Sequence, residues 1–132
     1  MTKTKRLREL LSQPGCIVGP CAYDTISAKV IEKVGFDLIS TSGYCMAGAM
    51  LASPDLGLVM FNEMMDAYQR MADATSIPII VDGESGFGNA MGVRREVRAL
   101  EHAGVAGMFI DDQSYPPYNS HLSISDQSRL SQ

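Results

Sequence analysis

No run of apolar residues in this 132-residue sequence approaches the ~20 needed to span a bilayer, so a membrane-spanning helix is excluded. Positive charge is also scarce. Eleven Lys and Arg face 15 Asp and Glu, a net charge of -4, which excludes nucleic-acid binding driven by charge. Basic residues gather only at Lys3, Lys5, Arg6 and Arg8, and no apolar segment of the signal-peptide kind follows them. They are read as the solvated face of a first helix, with a transit peptide as the other reading. The three cysteines, Cys16, Cys21 and Cys45, are odd in number and lack metal-site spacing. They predict free thiols in a reducing compartment, with the cytoplasm as the expected location. Cys16 and Cys21 flank a predicted strand and are expected to be small core residues. What is present is ordinary for a globular domain: 45% apolar residues and enough length for one core.

Apolar periodicity predicts alternating helices and strands. Residues 3–13 read as a helix with Leu7, Leu10 and Leu11 on one face, stopped by Pro14-Gly15. Cys16 to Gly19 reads as the first strand, ended by Pro20. A helix starting at Asp24 or Thr25 carries Ile26, Val30, Ile31 and Val34 at near-helical spacing, and Gly35 closes it. Phe36 to Ser40 is the second strand. The small residues Ala47, Gly48, Ala49 and Ala52 suit a short helix or an irregular loop, and Ser53 to Leu58 reads as turn. Phe61 to Ala74 is the clearest helix, with Phe61, Met64, Met65, Tyr68, Met71 and Ala72 as its core stripe. Ile79 to Val81 is the third strand. Asn89 caps a further helix, with Val93, Val97 and Leu100 inward and Arg94, Arg95, Glu96, Arg98 and Glu101 on a solvated face. Ala106 to Ile110 is the fourth strand. This βαβαβαβ order predicts an α/β fold with a parallel sheet, either an arc of a barrel or a doubly wound sheet.

The chemistry-bearing residues sit where strands leave the core. The third strand ends in Asp82 and Glu84 around Gly83, and the fourth in Asp111 and Asp112. In a parallel barrel these positions form the C-terminal rim, where active sites are built. Carboxylates at that density repel unless a cation or a substrate group compensates them. Hard oxygen donors with no histidine beside them favour magnesium, with manganese as the alternative, over zinc.

Asp82-Gly83-Glu84-Ser85-Gly86-Phe87-Gly88-Asn89 resembles the D-x-D-T-G-Y-G-N stretch of the isocitrate lyase / phosphoenolpyruvate mutase superfamily. Ile110-Asp111-Asp112-Gln113 resembles its I-E-D-Q or I-E-D-K strand end, and Ser42-Gly43-Tyr44 its S-G-Y element. Each acidic motif carries one exchange, Glu84 for Asp and Asp111 for Glu. The resemblance spans residues 5 to 121. It implies the parallel (β/α)8 TIM-barrel fold, of which a barrel of ~250 residues leaves room here for about the first four βα units. Residues 1–121 are then the N-terminal half of the barrel domain, and the serine-rich 122–132 an aberrant, disordered tail.

The resemblance further implies Mg-dependent lyase or mutase chemistry on a 2-oxo or 2-hydroxy carboxylic acid through an enolate, at a C–C or P–C bond. Asp82, Glu84, Asp111 and Asp55 are the implied metal residues. Ser42, Gly43 and Tyr44 are implied to hold the substrate carboxylate and oxyanion, with Ser42 catalytic. Tyr23-Asp24 resembles the family's Y-D element, with helix capping as the other reading of Asp24. The lyase branch carries K-K-C-G-H after the fourth strand. Here Pro116 to His121 has neither the lysine nor the cysteine, while Asn119-Ser120 resembles the N-S of the phosphonomutase and phosphonopyruvate hydrolase branch. Asn119 is thereby implied to be catalytic and Asn119 and Ser120 substrate-binding. Partners are expected to be a small carboxylate and further copies of the chain, as a homo-oligomer or through open barrel edges. The other expectation is a non-catalytic half-barrel or association subunit.

Overall fold

The computed structural model describes residues 1–112. The sequence-based readings on Asn119, Ser120 and residues 122–132 lie outside the described residues.

The elements run α1 (Lys3–Leu11), β1 (Cys21–Ala22), α2 (Thr25–Val34), β2 (Ile39–Thr41), α3 (Gly43–Leu51), α4 (Phe61–Ala74), β3 (Ile79–Asp82), α5 (Ala90–His102) and β4 (Gly107–Phe109). Capping explains several boundaries. Asp24 accepts from the Ser27 N–H at 2.7 Å while the Ser27 hydroxyl accepts from the Asp24 N–H at 3.1 Å, a reciprocal box that starts α2. Gly35 ends it in the left-handed conformation, φ 102°. Asn89 accepts from the Met91 and Gly92 N–H groups and starts α5. The small-residue stretch is helical as α3.

All strand pairs are parallel, in the order β1-β2-β3-β4. A doubly wound sheet reverses its strand order at a switch point. Here each strand neighbours the one before it, as around a barrel. Helix α2 packs on α4 and α4 on α5, so these helices cover one face of the sheet. Ala22, Ile39, Ile79 and Val81 are fully buried beneath them, with Met64, Tyr68 and Met71 of α4 opposite. Burial of each such Ile or Val contributes roughly 2 kcal/mol. The other face carries the register row Cys21, Ser40, Ile80 and Gly107, with Leu7 of α1 against Gly107.

The structure departs from the sequence reading at four places. Residues 16–19 form no strand. Pairing starts where the Ser40 N–H donates to the Pro20 carbonyl at 3.0 Å. Proline lacks an N–H but keeps its acceptor, so it opens the strand instead of ending it. Cys16 and Cys21 are exposed and not core residues, Cys21 because it faces away from the helices. Leu11 is exposed at the last turn of α1, where only Leu7 and Leu10 reach the core. Finally, α5 presents Glu96 and Leu100, followed by the buried Ala103, to the sheet. Glu96 is 1% exposed while Val97 is 37% exposed, the reverse of the expectation. Among the described residues, no helix is long and apolar enough to cross a membrane.

Tyr68 ties the helix layer to the sheet. Its buried hydroxyl donates to the Asp82 carbonyl at 2.7 Å. Tyr68→Phe leaves that carbonyl without this donor, and the expected loss is ~1–3 kcal/mol in urea unfolding. An unchanged midpoint would show that the bond contributes nothing net.

Candidate functional site

The ends of β2, β3 and β4 lie side by side, because Ser40 pairs with Ile80 and Asp82 with Phe109. Asp82 is held from every polar group it has. Its N–H donates to Thr41 Oγ1 at 3.0 Å and its carbonyl accepts from Tyr68. Its Oδ2 accepts from the Gly43 N–H at 2.8 Å and its Oδ1 from the Glu84 N–H at 2.9 Å. The carboxylate therefore fastens the start of α3 to the turn after β3. Burial raises the Asp82 pKa, the two backbone amides oppose that rise, and Asp111 and Asp55 add to it by repulsion.

Glu84 follows in the left-handed region, φ 50°, a conformation that costs a non-glycine residue ~1–3 kcal/mol. Its side chain is 9% exposed and lies against Gly43, where any Cβ would collide with Oε1. Asp55 Oδ2 is 3.1 Å from the same Cβ position, so the lack of a side chain at Gly43 lets two acids converge there. Burial first, then repulsion from Asp82, Asp55, Asp111 and Glu96, pushes the Glu84 carboxyl up to about 8. The Asp111 N–H donates to the Glu84 carbonyl at 2.7 Å, which brings the exposed Asp111 to the same rim. The four acids that the sequence singled out are thus neighbours. They do not form a closed coordination shell: among the described residues, no three His, Cys, Asp or Glu side chains are arranged as a finished metal site. Both Asp82 oxygens already accept backbone amides.

Ser42 is the N-cap of α3, yet its hydroxyl makes no cap bond. Gly43 is buried and Tyr44 exposed beside it. The helix N-terminus faces the acid rim through the Gly43 N–H. Asp24 is engaged in capping α2, away from this role. His102 Nδ1 lies 2.6 Å from the Arg98 carbonyl on its own helix.

Two further residues were missed by sequence reasoning. Tyr68 was read only as core. Glu96 was read as solvated, yet its carboxylate sits behind the turn, with Oε1 3.2 Å from the Cβ position of Gly83. Burial, with repulsion from Asp82, pushes it up to about 7. The spacing of Val93, Glu96, Leu100 and Ala103 at three, four and three residues was the available signal, since it places Glu96 in an apolar stripe. Among the described residues, the buried side-chain oxygens and nitrogens without a hydrogen-bond partner are Glu84 Oε1, Ser85 Oγ and Glu96 Oε2. All belong to the segment from the end of β3 into α5. Phe87, also left-handed at φ 51°, fastens this segment by an edge contact with Phe61, ring centroids 5.6 Å apart, and Arg95 lies over Phe61. A groove of about 790 Å³ at the opposite end, between α1, α5 and β4, includes none of the rim acids.

The sequence profile of the phosphoenolpyruvate phosphomutase family matches residues 7–130. The chain is 39% identical over 122 residues to 2,3-dimethylmalate lyase of Eubacterium barkeri, covering 92% of this chain and 42% of that protein. Phosphoenolpyruvate phosphomutase from Streptomyces platensis subsp. rosaceus superposes with a TM-score of 0.86 at 32% identity, over 91% of this chain and 42% of that one. A phosphonopyruvate hydrolase in complex with oxalate and Mg++ superposes with a TM-score of 0.83 at 29% identity, over 98% and 45%. The chain thus spans about two fifths of the length of these relatives. The order of parallel strands, the acids at their ends and these matches agree: the chain belongs to the phosphoenolpyruvate phosphomutase family of the isocitrate lyase / phosphoenolpyruvate mutase superfamily, as an arc of its TIM barrel.

Proposed function

We propose that the rim formed by Asp55, Asp82, Glu84 and Asp111 holds magnesium, with manganese as substitute, and that the protein acts on a small 2-oxo or 2-hydroxy carboxylic acid as a lyase or mutase. The observation that carries this reading is the buried, unpartnered Glu84 Oε1 beside Asp55 and Asp82. A buried carboxylate oxygen without a donor is costly, and a cation at the rim removes that cost. The donor set is all oxygen, which suits a hard divalent ion. When bound, the ion supplies Lewis-acid stabilisation of negative charge developing on the substrate oxygens.

The chain's own residues then divide the remaining work. Asp82 takes the Gly43 N–H and so keeps the α3 N-terminus facing the rim, where the Ser42 hydroxyl and the Tyr44 amide meet the substrate carboxylate. Gly43 leaves room for Glu84 and for close approach of the substrate. Asn119 acts near the C–C or P–C bond and Ser120 helps to bind the substrate, as the family resemblance implies. The reaction passes through an enolate of the acid. Relatives named as a lyase, a phosphomutase and a phosphonopyruvate hydrolase support this reaction class.

A second reading has its own support. Ile26, Val30 and Val34 share one stripe of α2 and are 75%, 53% and 69% exposed. Among the described residues, β1 and β4 pair on one side only. An apolar stripe beside an open strand edge suits a half-barrel that is covered by association, either with another copy or with separate barrel strands.

Three outcomes are expected. In calorimetric titration, Asp82→Ala binds magnesium more than ~10-fold more weakly than the parent; equal affinities would remove Asp82 from the site. Stability should depend on pH with a defined sign. Glu84 at about 8, against an ordinary 4.5, retains a proton on folding that the unfolded chain has released. Its contribution is full below 4.5 and is lost as pH rises through 8, with Glu96 acting in the same direction. Glu32, held down to about 2 by the Ser76 hydroxyl and amide, changes only below that window. The metal-free melting temperature therefore falls between about pH 5 and pH 8.5, and saturating magnesium raises it more at the upper end. A flat profile would contradict the buried acids. Lastly, under the second reading the purified chain should sediment as an oligomer and turn over phosphonopyruvate, oxaloacetate and 2-methylisocitrate far below ~1 per second. A monomer working at that rate would reverse the second reading.

A further inference from the structure

Glu96 is a buried acid that no step above uses. It is 1% exposed, Oε2 has no hydrogen-bond partner, and none of the ion pairs among the described residues reaches it; these pairs are Arg6–Asp37, Lys29–Glu32 and Arg70–Asp66. An acid in that position destabilises the empty fold, because burial without donors or counter-charge is costly. Its placement is specific. Gly83 separates Asp82 from Glu84, and a Cβ there would meet Met108 Cε, the Phe109 carbonyl and, at 3.2 Å, Glu96 Oε1. The carboxylate therefore occupies the space behind the turn, in the layer between sheet and α5, while Asp82, Glu84 and Asp55 occupy its front. Tyr68 stands in the same layer and holds the Asp82 carbonyl.

We propose that Glu96 is a positioning and charge-supplying residue of the metal rim: it makes no bond to the ion, but its carboxylate behind Gly83 strengthens divalent-cation binding by Asp82 and Glu84. The inference rests on the metal reading above. Two buried acids, Glu84 and Glu96, each carry an oxygen without a donor, on either side of one short turn. In the low dielectric between sheet and helix, a second anion acts across that turn with little screening. A divalent ion at the rim is then attracted by the buried charge as well as by its ligands. The same charge that weakens the empty fold strengthens the occupied one. Gly83 favours this arrangement, since a Cβ there would collide with Met108 Cε and the Phe109 carbonyl and press on Glu96 Oε1 at 3.2 Å.

The test compares the parent, Glu96→Gln and Asp82→Ala, each as the full chain. Magnesium chloride is titrated calorimetrically, and melting is followed without metal. Glu96→Gln keeps the shape and removes the charge. The expected result is ~10-fold weaker magnesium binding together with an equal or higher melting temperature for the metal-free chain. An affinity within about twofold of the parent overturns the inference, as does weaker binding accompanied by a lower metal-free melting temperature, which would mark structural damage. If Glu96→Gln loses its cooperative melt, Glu96→Asp, which keeps the charge, decides: binding within about threefold of the parent supports the proposal, and a tenfold loss overturns it. A parent that binds no magnesium overturns both readings. A parent that binds, with Asp82→Ala impaired and Glu96→Gln unaffected, overturns this inference alone.

Discussion

The organisation of the rim depends on the four hydrogen bonds of Asp82. Its backbone is pinned by Thr41 from the neighbouring strand and by Tyr68 from the helix layer. Its side chain spans from the first turn of α3 to the turn after β3. Any one of these bonds contributes about 1 kcal/mol net, somewhat more where the acceptor is charged. Their effect on geometry is larger than that figure suggests. They leave the residue no alternative orientation, so the acids on either side are placed by reference to it. The left-handed backbone of Glu84 persists because Asp82 accepts its N–H and Asp111 donates to its carbonyl.

Around that fixed residue the molecule accumulates like charge. Asp55 and Asp111 raise the proton affinity of both Asp82 and Glu84, Glu96 adds to that of Glu84, and Asp82 raises those of Glu84 and Glu96. A fold selected only for stability would place a lysine or an apolar side chain among them. This one places two glycines there instead: Gly43, in front of the turn, admits the Glu84 carboxylate where a side chain would stand, and Gly83, within it, lets Met108 and the Phe109 carbonyl close on the turn with Glu96 beside them. The local cost is consistent with a site whose charge is balanced only when something bound is present.

Much of this was legible in the sequence, for physical reasons that can be named. Phe61–Ala74 was readable because its apolar residues recur at helical spacing, and Ile79–Asp82 because a short apolar run ends abruptly in acid. Asp24, Gly35 and Asn89 marked boundaries through capping chemistry that is local to each. The strand order was not readable from spacing alone, since both candidate sheets share the βα alternation. The first strand was misplaced because Pro20 was treated as a terminator when only its missing donor, and not its carbonyl, constrains pairing. Glu96 was misassigned because charge was weighed above position; its stripe with Leu100 and Ala103 is set by helical geometry, which does not depend on polarity. Asp111 could be placed on the rim as an acid that ends a parallel strand, whereas Asp55 could be connected to it only through the resemblance, because a contact from a loop to the strand ends is not encoded in local pattern.

The sequential strand order also bears on how the chain acquires its shape during synthesis. Among the described residues, each new strand docks on the one made just before it. The pins on Asp82 reach back to Thr41, Gly43 and Tyr68 and forward only to Glu84, so they are available once the turn after β3 has left the ribosome. Gly83 and Glu84, by contrast, each engage β4 or its exit, through the Phe109 carbonyl and the Asp111 N–H. Until the fourth strand has emerged, Asp82 is held in place while the acid next to it still lacks its final restraint. Assembly of the rim is therefore vectorial: its oldest half is set first, and the fourth strand completes it.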